Sequence, residues 1–388
     1  MRKPMSLAPA LICTLGLALA FSGCEKLKVD NLKANSHLKA ANKHYADEKY
    51  RGAVKEYEEA LALNPNLDKV HFYLGTAYAS LFKPGKEGEE NRQYALKAEE
   101  HLNKAESVTT DPLARERVVM AKGELFDKLA TGLTDDAEKE AYYQKAEQCY
   151  LALLESNKEK PATYYVLADF YKKHGKNDMA DKVYQDRISL DPKDPEGYLY
   201  YGQYLQDAAR FDEAITVYSR RLWALVNPGI IDKDREMMQL SPKLEEIRKK
   251  RDFIDNTLKK NKTLPKQQKD QMIAEKEQEI AAIGDAAALQ AQYDALLQER
   301  DALVAGMADI VSTMDAEKKK HVAEAHYTLG VVSWMKSYRI EDGMITDKDR
   351  MALCESGMAH LDRAVQIDEN FANPYAYKKL MYLQMIRA

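Results

Sequence analysis

The sequence predicts an all-α protein built from repeated helical hairpins. Two observations carry this prediction: the 388 residues include only 17 glycines and 12 prolines against abundant Ala, Leu, Lys and Glu, and one residue pattern occurs twice, 34 residues apart. A fixed period of this length is typical of stacked helix pairs. Because 45% of the residues are hydrophobic and 31% are charged, the chain can bury a large core. The net charge of −4, without a dominant block of like charge, argues against nucleic acid as a partner.

The duplicated pattern lies between residues 161 and 228. Each copy places large, small and large side chains on one face of a first helix, where the small one lets a second helix approach closely. Gly175 predicts the break between the two helices of the first copy. One such hairpin cannot bury its apolar face alone, so neighbouring hairpins are expected. The first copy has Tyr164, Leu167, Ala168, Tyr171, Ala180, Tyr184 and Pro192, and the second has Tyr198, Tyr201, Gly202, Leu205, Ala214, Tyr218 and Val226.

This pattern resembles the tetratricopeptide repeat (TPR) family, and further copies fit it. The resemblance implies a solenoid of about five repeats over residues 34–227, two of them with insertions, and a C-terminal repeat with a capping helix over 321–388. It also implies binding rather than one particular reaction. The further copies keep Ala41, Ala53, Tyr57, Ala60 and Pro65; then Leu74, Gly75, Tyr78, Ala98, Leu102, Ala105 and Pro112; then Ala146 and Tyr150; and finally Leu329, Gly330, Gly357, Leu361 and Ala364.

Residues 228–320 interrupt the repeats and predict a coiled-coil-like helical insert. Their composition changes to Lys, Glu, Gln and Ala, Pro265 separates two helices, and Gly284 with Asp285 indicates a helix end followed by an N-cap. We expect a hairpin of two or three helices, which acts either as an arm that binds a partner or as a spacer packed on the solenoid. Two heptad seams support this prediction: Leu289, Tyr293, Leu296, Arg300, Leu303, Met307, Ile310 and Met314, and the shorter Leu244, Ile247, Arg251, Ile254 and Leu258.

Residues 1–23 are predicted to be a targeting segment rather than part of the fold. Arg2 and Lys3 give a positive start, an apolar run from Leu7 to Phe21 follows, and small residues precede Cys24. The run is too short and too interrupted for a typical transmembrane helix. The segment therefore predicts export.

Small residues directly before a cysteine resemble the bacterial lipoprotein signal. The resemblance implies cleavage before Cys24, acylation of its sulfur, and a short tether over 24–33 that keeps the first repeat near the bilayer. Glu25 stands where an aspartate would imply inner-membrane retention, so we expect an outer-membrane lipoprotein facing the periplasm. An inner-membrane or extracellular location, an ordinary secretory signal and an uncleaved anchor are the alternatives.

The first helices of the repeats are predicted to line a groove. Residues one turn away from the packing face combine aromatic, amide and sparse charged side chains, which suits an extended peptide or a partner helix. The alternative is that these positions are merely solvated. The set lacks the concentrated Lys, Arg and Asn of TPR domains that clamp C-terminal carboxylates. The candidate groove residues are Leu38, Asn42, Tyr45, Phe72, Thr76, Tyr165, Asp169, Lys172, Leu199, Gln203 and Gln206.

No residue pattern indicates catalysis, a cofactor or a metal site. The chain lacks a His-Glu-x-x-His motif, a phosphate-binding glycine loop and a Gly-x-Ser-x-Gly elbow. His37 and His44 are expected at core positions, and the spacing of His321 and His326 is poor for two ligands on one helical face. Cys149 and Cys354, the thiols left after processing and acylation, are expected to be buried and inert, and a disulfide between them is the less favoured alternative.

These features favour a non-enzymatic adaptor: a lipid-anchored solenoid that holds protein or peptide partners in envelope assembly, secretion or wall remodelling. The alternatives are a structural or small-ligand-binding lipoprotein without a dedicated protein partner and, less favoured, an enzyme whose residues are dispersed over several repeats.

Overall fold

The computed structural model describes the backbone of residues 12–341 and 344–387, and the side chains from residue 29 onward within these ranges. All regular structure in these residues is helical, as the sequence predicted. The helices are α1 (Ile12–Ala46), α2 (Tyr50–Leu63), α3 (Asp68–Leu81), α4 (Glu89–Val108), α5 (Pro112–Gly132), α6 (Asp136–Ser156), α7 (Pro161–Lys173), α8 (Asn177–Leu190), α9 (Pro195–Asp207), α10 (Phe211–Val226), α11 (Gly229–Phe253), α12 (Lys266–Ile283), α13 (Ala286–Ala305), α14 (Met307–Thr313), α15 (Ala316–Arg339), α16 (Asp347–Ile367) and α17 (Asn373–Arg387), with a π-helical turn at Ile254–Leu258 after α11.

The chain divides into two compact units, which we call the N-terminal unit (residues up to 180) and the C-terminal unit (residues from 181). In the N-terminal unit, α1 pairs with α2, α3 with α4 and α5 with α6, and α7 packs on α6. In the C-terminal unit, α9 pairs with α10 and α15 with α16, and α17 packs on both helices of the latter pair. The helical hairpins predicted from the repeat pattern are therefore present in both units.

The predicted small residues mark the closest approach of the paired helices. A Cβ atom on Gly75 of α3 would lie 2.8 Å from Cγ of Leu102 on α4. A Cβ atom on Gly123 of α5 would lie 2.9 Å from Cε1 of Tyr150 on α6. Gly123 thus serves as the small residue of the degenerate third repeat, a role that the sequence analysis had not assigned. Small residues at these points allow the large facing side chains to fill the interface.

Residues 24–33, predicted to be a tether, belong to α1. Ten helical residues rise about 15 Å, less than half the span of an extended tether of that length. Asn31 within this segment accepts a hydrogen bond from the Asn64 side-chain amide at 2.8 Å, which joins it to the end of α2. Residues 1–11 of the predicted signal lie outside the described residues, and so does the side chain of Cys24. Among the described residues, no helix has both the length and the apolar character required to cross a membrane.

The insert is a long helix braced by two shorter ones. The inner half of α11 packs on α13 through Met237, Leu240 and Leu296. At the outer end, the Lys250 ammonium lies 2.5 Å from the carboxylate of Glu279 on α12. No residue of α12 is fully buried, so this helix presents much of its surface to solvent.

The residues of the longer heptad seam do not lie on one continuous helix. Helix α13 ends at Ala305 and α14 begins at Met307, with Gly306 between them. Leu296 packs on α11, whereas Met307 and Val311 line a cavity beside α10, α15 and α16. A heptad pattern shows which residues are apolar, but it does not show whether they pack on the same helix. Two short apolar segments with different packing partners were therefore assigned to one seam. The shorter seam is buried at Ile247, Ile254 and Leu258.

Candidate functional site

The best-formed part of the predicted groove lies between α1 and α3. The Tyr45 hydroxyl donates a hydrogen bond to Oγ1 of Thr76 at 3.1 Å, which joins the first helices of successive repeats. Phe72, one turn before Thr76, is half-buried, and Leu38 is half-buried on α1. Asn42 is exposed, but its side-chain oxygen accepts a hydrogen bond from the Tyr57 hydroxyl at 2.8 Å. Of the predicted set, the structure therefore brings Tyr45 of α1 and Thr76 of α3 into contact.

Four aromatic rings form a connected surface here, which we call the aromatic face: Tyr45, Tyr50, Phe72 and Tyr73. The ring of Tyr45 meets those of Tyr50 and Tyr73 edge to face, with centroids 5.6 and 5.8 Å apart. Phe72 meets Tyr73 at 5.3 Å. Tyr73 is 41% exposed, so the surface is open to solvent. Edge-to-face contacts hold the rings in defined orientations, and the face is therefore organised before any partner arrives.

The sequence analysis missed Tyr50 and Tyr73. It placed groove residues at fixed offsets from the small residue of each first helix, and Tyr73 falls between two of those offsets. Tyr50 begins α2, outside the first helices altogether. The signal that could have found them is the density of tyrosine around this first helix pair.

The groove becomes polar between α5 and α7. Asp127 of α5 accepts from the Lys173 ammonium at 2.6 Å and contacts Nε2 of His174 at 2.7 Å. Of the residues predicted on α7, Tyr165 is half-buried, and Asp169 and Lys172 are exposed. Asp127 was not predicted because no groove residues had been assigned to the degenerate third repeat.

The remaining predicted residues belong to α9 of the C-terminal unit. Leu199 is half-buried and Gln203 is exposed. Gln206 accepts a weak hydrogen bond from the Tyr218 hydroxyl of α10 at 3.4 Å, which ties it to the interior of its own hairpin. The α9 set contains no aromatic side chain, in contrast to the set on α1 and α3.

A cleft of about 520 Å³ opens on another side of α9. Helices α8, α9, α10 and α11 line it, and Ile188, Leu205 and Val217 contribute apolar surface. On its rim, Nε of Arg220 donates to the carboxylate of Asp234 at 2.7 Å. None of the α9 residues predicted for the groove lines this cleft, because they lie on a different face of that helix.

Two tyrosines in this cleft remain hydrogen-bond donors at physiological pH. Burial raises the pKa of Tyr198 and of Tyr201 to about 12 in each case. The Tyr198 hydroxyl donates to the carbonyl oxygen of Pro192 at 2.7 Å, and that of Tyr201 to the carboxylate of Asp181 at 3.1 Å. The cleft thus combines apolar surface with many polar and charged side chains, among which these two tyrosines hold fixed hydrogen bonds.

The two cysteines whose side chains the structure describes are not joined by a disulfide. Cys149 and Cys354 are both free; Cys354 is buried as predicted, whereas Cys149 is half-buried. Burial raises the pKa of Cys149 to about 11, which leaves its thiol protonated and weakly nucleophilic. Within the described ranges, no three His, Cys, Asp or Glu side chains are grouped to hold a metal ion.

His37 and His44 are half-buried rather than in the core, where we had predicted them. His37 contacts the carboxylate of Glu56 at 2.7 Å, so one ring edge faces a polar partner. His44 covers Gly52 at the start of α2, where a Cβ atom would lie 3.1 Å from its ring. Both histidines lie at the interface between α1 and α2, as their seven-residue spacing predicted. They lie at the edge of that interface and not in its interior.

Comparison with known proteins supports the repeat assignment. Residues 41–81, from the small residue of α1 to the end of α3, match the family model described as TPR repeat. No curated protein matches the chain. The assignment of the repeat rests on this match and on the hairpin geometry.

Among solved structures, a thermophilic TPR protein from Thermus thermophilus is 19% identical, with 49% of this chain and 90% of that chain covered and a TM-score of 0.34. A tetratricopeptide repeat protein from Parabacteroides merdae is 12% identical, with 90% of this chain and 99% of that chain covered and a TM-score of 0.35. MamA is 19% identical, with 47% of this chain and 93% of that chain covered and a TM-score of 0.30.

Proposed function

We propose that this tetratricopeptide-repeat protein is a non-enzymatic adaptor that holds a partner protein at the bacterial cell envelope. In this proposal, acylated Cys24 anchors the chain to the outer membrane and the repeats face the periplasm. The N-terminal sequence supports the anchor, and proteins built from such repeats generally bind other proteins. The observation that carries the binding function is the aromatic face between α1 and α3.

Several properties suit this face to a protein partner. Tyrosine side chains present a large amphipathic surface, and they lose little conformational entropy when bound. The Tyr45 to Thr76 hydrogen bond and the ring contacts fix the face in advance, which lowers the entropic cost of binding. The partner is an extended segment or a helix that inserts an apolar side chain beside Tyr73.

A second candidate function, binding of a small ligand, is favoured by the cleft between α8 and α11. Its volume of about 520 Å³ lies within the usual range for ligand sites. In that case the aromatic face would be a solvated surface without a dedicated partner.

The two functions can be separated by capture followed by direct binding. Full-length lipidated protein is crosslinked in native membranes, the captured proteins are identified, and each is then tested for binding to the purified chain. We expect Tyr73→Ala to weaken binding of the partner at least tenfold, because it removes the exposed ring at the centre of the face. Tyr382→Ala is the matched control, since Tyr382 is also an exposed tyrosine, at 56%, but lies on α17. Equal affinity of the Tyr73→Ala and wild-type proteins for every captured partner contradicts the proposed site.

The anchor is tested separately. Cys24→Ser removes the acylated sulfur, so we expect the protein to lose labelled acyl chain and to leave the membrane fraction. The single substitutions Cys149→Ser and Cys354→Ser, which leave Cys24 in place, should retain both properties. Membrane retention and undiminished acyl labelling of Cys24→Ser would show that the lipoprotein assignment is wrong.

A further inference from the structure

Two histidine pairs occupy the same positions in two different repeats. His71 and His101 join α3 to α4, and His326 and His360 join α15 to α16. In each hairpin the first histidine lies four residues before the small glycine, and the second directly precedes the leucine that packs on that glycine. These landmarks are Gly75 and Leu102 in the first hairpin and Gly330 and Leu361 in the second.

The geometry of both pairs is that of two rings sharing one proton. The Nδ1 atoms are 3.1 Å apart in the first pair and 2.9 Å apart in the second. The ring centroids are 5.3 and 5.2 Å apart, so the rings meet through their nitrogen edges rather than face to face. One ring therefore donates its Nδ1–H to the bare Nδ1 of the other, which requires both rings to be neutral or only one to be charged.

The C-terminal pair borders a cavity of about 300 Å³ at the root of the insert. Helix α10 lines it with uncharged residues that include Trp223, and the end of α13 and α14 add only apolar ones such as Met307. Arg363 of α16 is the one permanently charged side chain among the described residues of the lining. Nearby, Arg221 of α10 and Glu324 of α15 interact with each other.

We propose that His326 and His360 form a pH-sensitive latch that holds the end of α13 and helix α14 against the repeats when neutral and releases them when protonated. A proton added to the pair places a positive charge in an apolar cavity, beside Arg363 and without a carboxylate in the lining. Helix α14 has only seven residues and follows the Gly306 break, so it is the part of the lining with the least structure of its own. Its displacement admits water to the charged pair.

The direction of the pH effect follows from burial. Burial, with His360 and Arg363 nearby, lowers the pKa of His326 to about 3, and burial also lowers the pKa of His360. The closed state thus has its full stability above the ordinary histidine pKa of about 6.5 and loses stability as the pH falls from there toward 3. At pH 5 the equilibrium shifts toward the open state about 30-fold through His326, and protonation of His360 shifts it further in the same direction.

The N-terminal pair provides an internal comparison. His71 and His101 are half-buried, as are His326 and His360, and burial lowers the pKa of each. Three carboxylates near this pair oppose the lowering of the pKa, and two lysines reinforce it. The carboxylates belong to Asp68, Glu58 and Glu100, and the lysines are Lys97 and Lys104. A proton is therefore accommodated more easily here, and we expect a smaller response to acid.

Hydrogen exchange of the full chain between pH 7.5 and pH 5.0 tests the latch, with rates expressed as protection factors to remove the intrinsic effect of pH. We expect protection over residues 304–313 to fall at least 30-fold, while protection over α3 falls much less. His360→Gln should diminish the response, because an amide does not titrate and only His326 of the pair can then take up a proton. His321→Gln, which removes an exposed histidine on the same helix as His326, should leave it intact.

Three outcomes would overturn the proposal. One is protection over 304–313 in the wild-type protein that stays within threefold across this pH range, a test that needs no variant to fold. Another is an undiminished response in folded His360→Gln. The third is a uniform loss of protection over the whole C-terminal unit, which would indicate general acid unfolding.

Discussion

Hairpins α3/α4 and α15/α16 have the same internal plan but differ in what covers their first helices. Relative to the small glycine, Tyr327 and Trp334 of α15 occupy the positions of Phe72 and Ala79 on α3. In α15 both rings contact Tyr377 of α17, with centroids 5.6 and 5.3 Å away. Helix α5 contacts α3 and Ala79 is buried, but Tyr73 next to Phe72 remains 41% exposed.

The difference separates two roles of the repeat. Residues inside the hairpin determine that two helices form and how closely they pack, and the glycine, its facing leucine and the two histidines are the same in both places. Residues on the outer side of the first helix determine what the hairpin can bind. Another helix of the same chain or a separate partner can cover these residues. In the C-terminal repeat Tyr377 of α17 covers the rings of α15, whereas the N-terminal repeat presents Tyr73 to solvent.

The largest effects are expected inside the hairpins. A Cβ atom on Gly330 would lie 2.5 Å from Cγ of Leu361, against 2.8 Å for Gly75 and Leu102. We expect Gly330→Val to lower the free energy of unfolding by about 3 kcal/mol and Gly75→Val by about 2 kcal/mol, because overpacking displaces the facing leucine. Urea unfolding followed by circular dichroism measures both. Gly306→Ala is the control, since its nearest atom would be 3.6 Å away.

A larger loss for Gly75→Val than for Gly330→Val would contradict this ranking and show that the N-terminal hairpin is the less able to adjust. Equal losses would mean that the small residue acts through the backbone rather than through the facing leucine.

A smaller effect is expected where α17 covers α15. Tyr377→Ala removes the ring that contacts both Tyr327 and Trp334, so we expect a loss of about 2 kcal/mol. Fluorescence of Trp334 should shift to longer wavelength as water reaches the indole. Tyr375→Ala, on the same helix with the ring 51% exposed, should change stability by less than about 0.5 kcal/mol. Unchanged fluorescence in Tyr377→Ala would mean that α17 does not close this face.

The sequence predicted the parts of this comparison that depend on local period. Gly75 and Gly330 stand out because a small residue must recur wherever two helices touch, and the structure places both at those contacts. Tyr45 and Thr76 were both named as groove candidates from the repeat register, but the hydrogen bond between them was not predicted.

Features that depend on pairing across the hairpin were not predicted. The histidine pairs join residues 30 and 34 positions apart, and only an alignment of the two hairpins by their glycines would have shown that His71 and His326 share a position. The cover over Trp334 was missed because the terminal helix was assigned only as a cap. The division of the heptad seam at Gly306 was missed because the apolar pattern does not identify the partner helix.

The smallest effect concerns how the aromatic face is held open. Tyr45→Phe keeps the ring but removes the hydroxyl that donates to Thr76, and Thr76→Val removes the acceptor while keeping a similar shape. A double-mutant cycle isolates their interaction, which we expect to be about 0.5–1 kcal/mol because the hydrogen bond is only partly buried.

A coupling near zero, measured by urea unfolding, would show that the bond does not join α1 to α3. The contrast with the C-terminal repeat would then rest on the exposure of Tyr73 alone. A coupling in the expected range means that the open face is organised in advance, as the closed face is by α17.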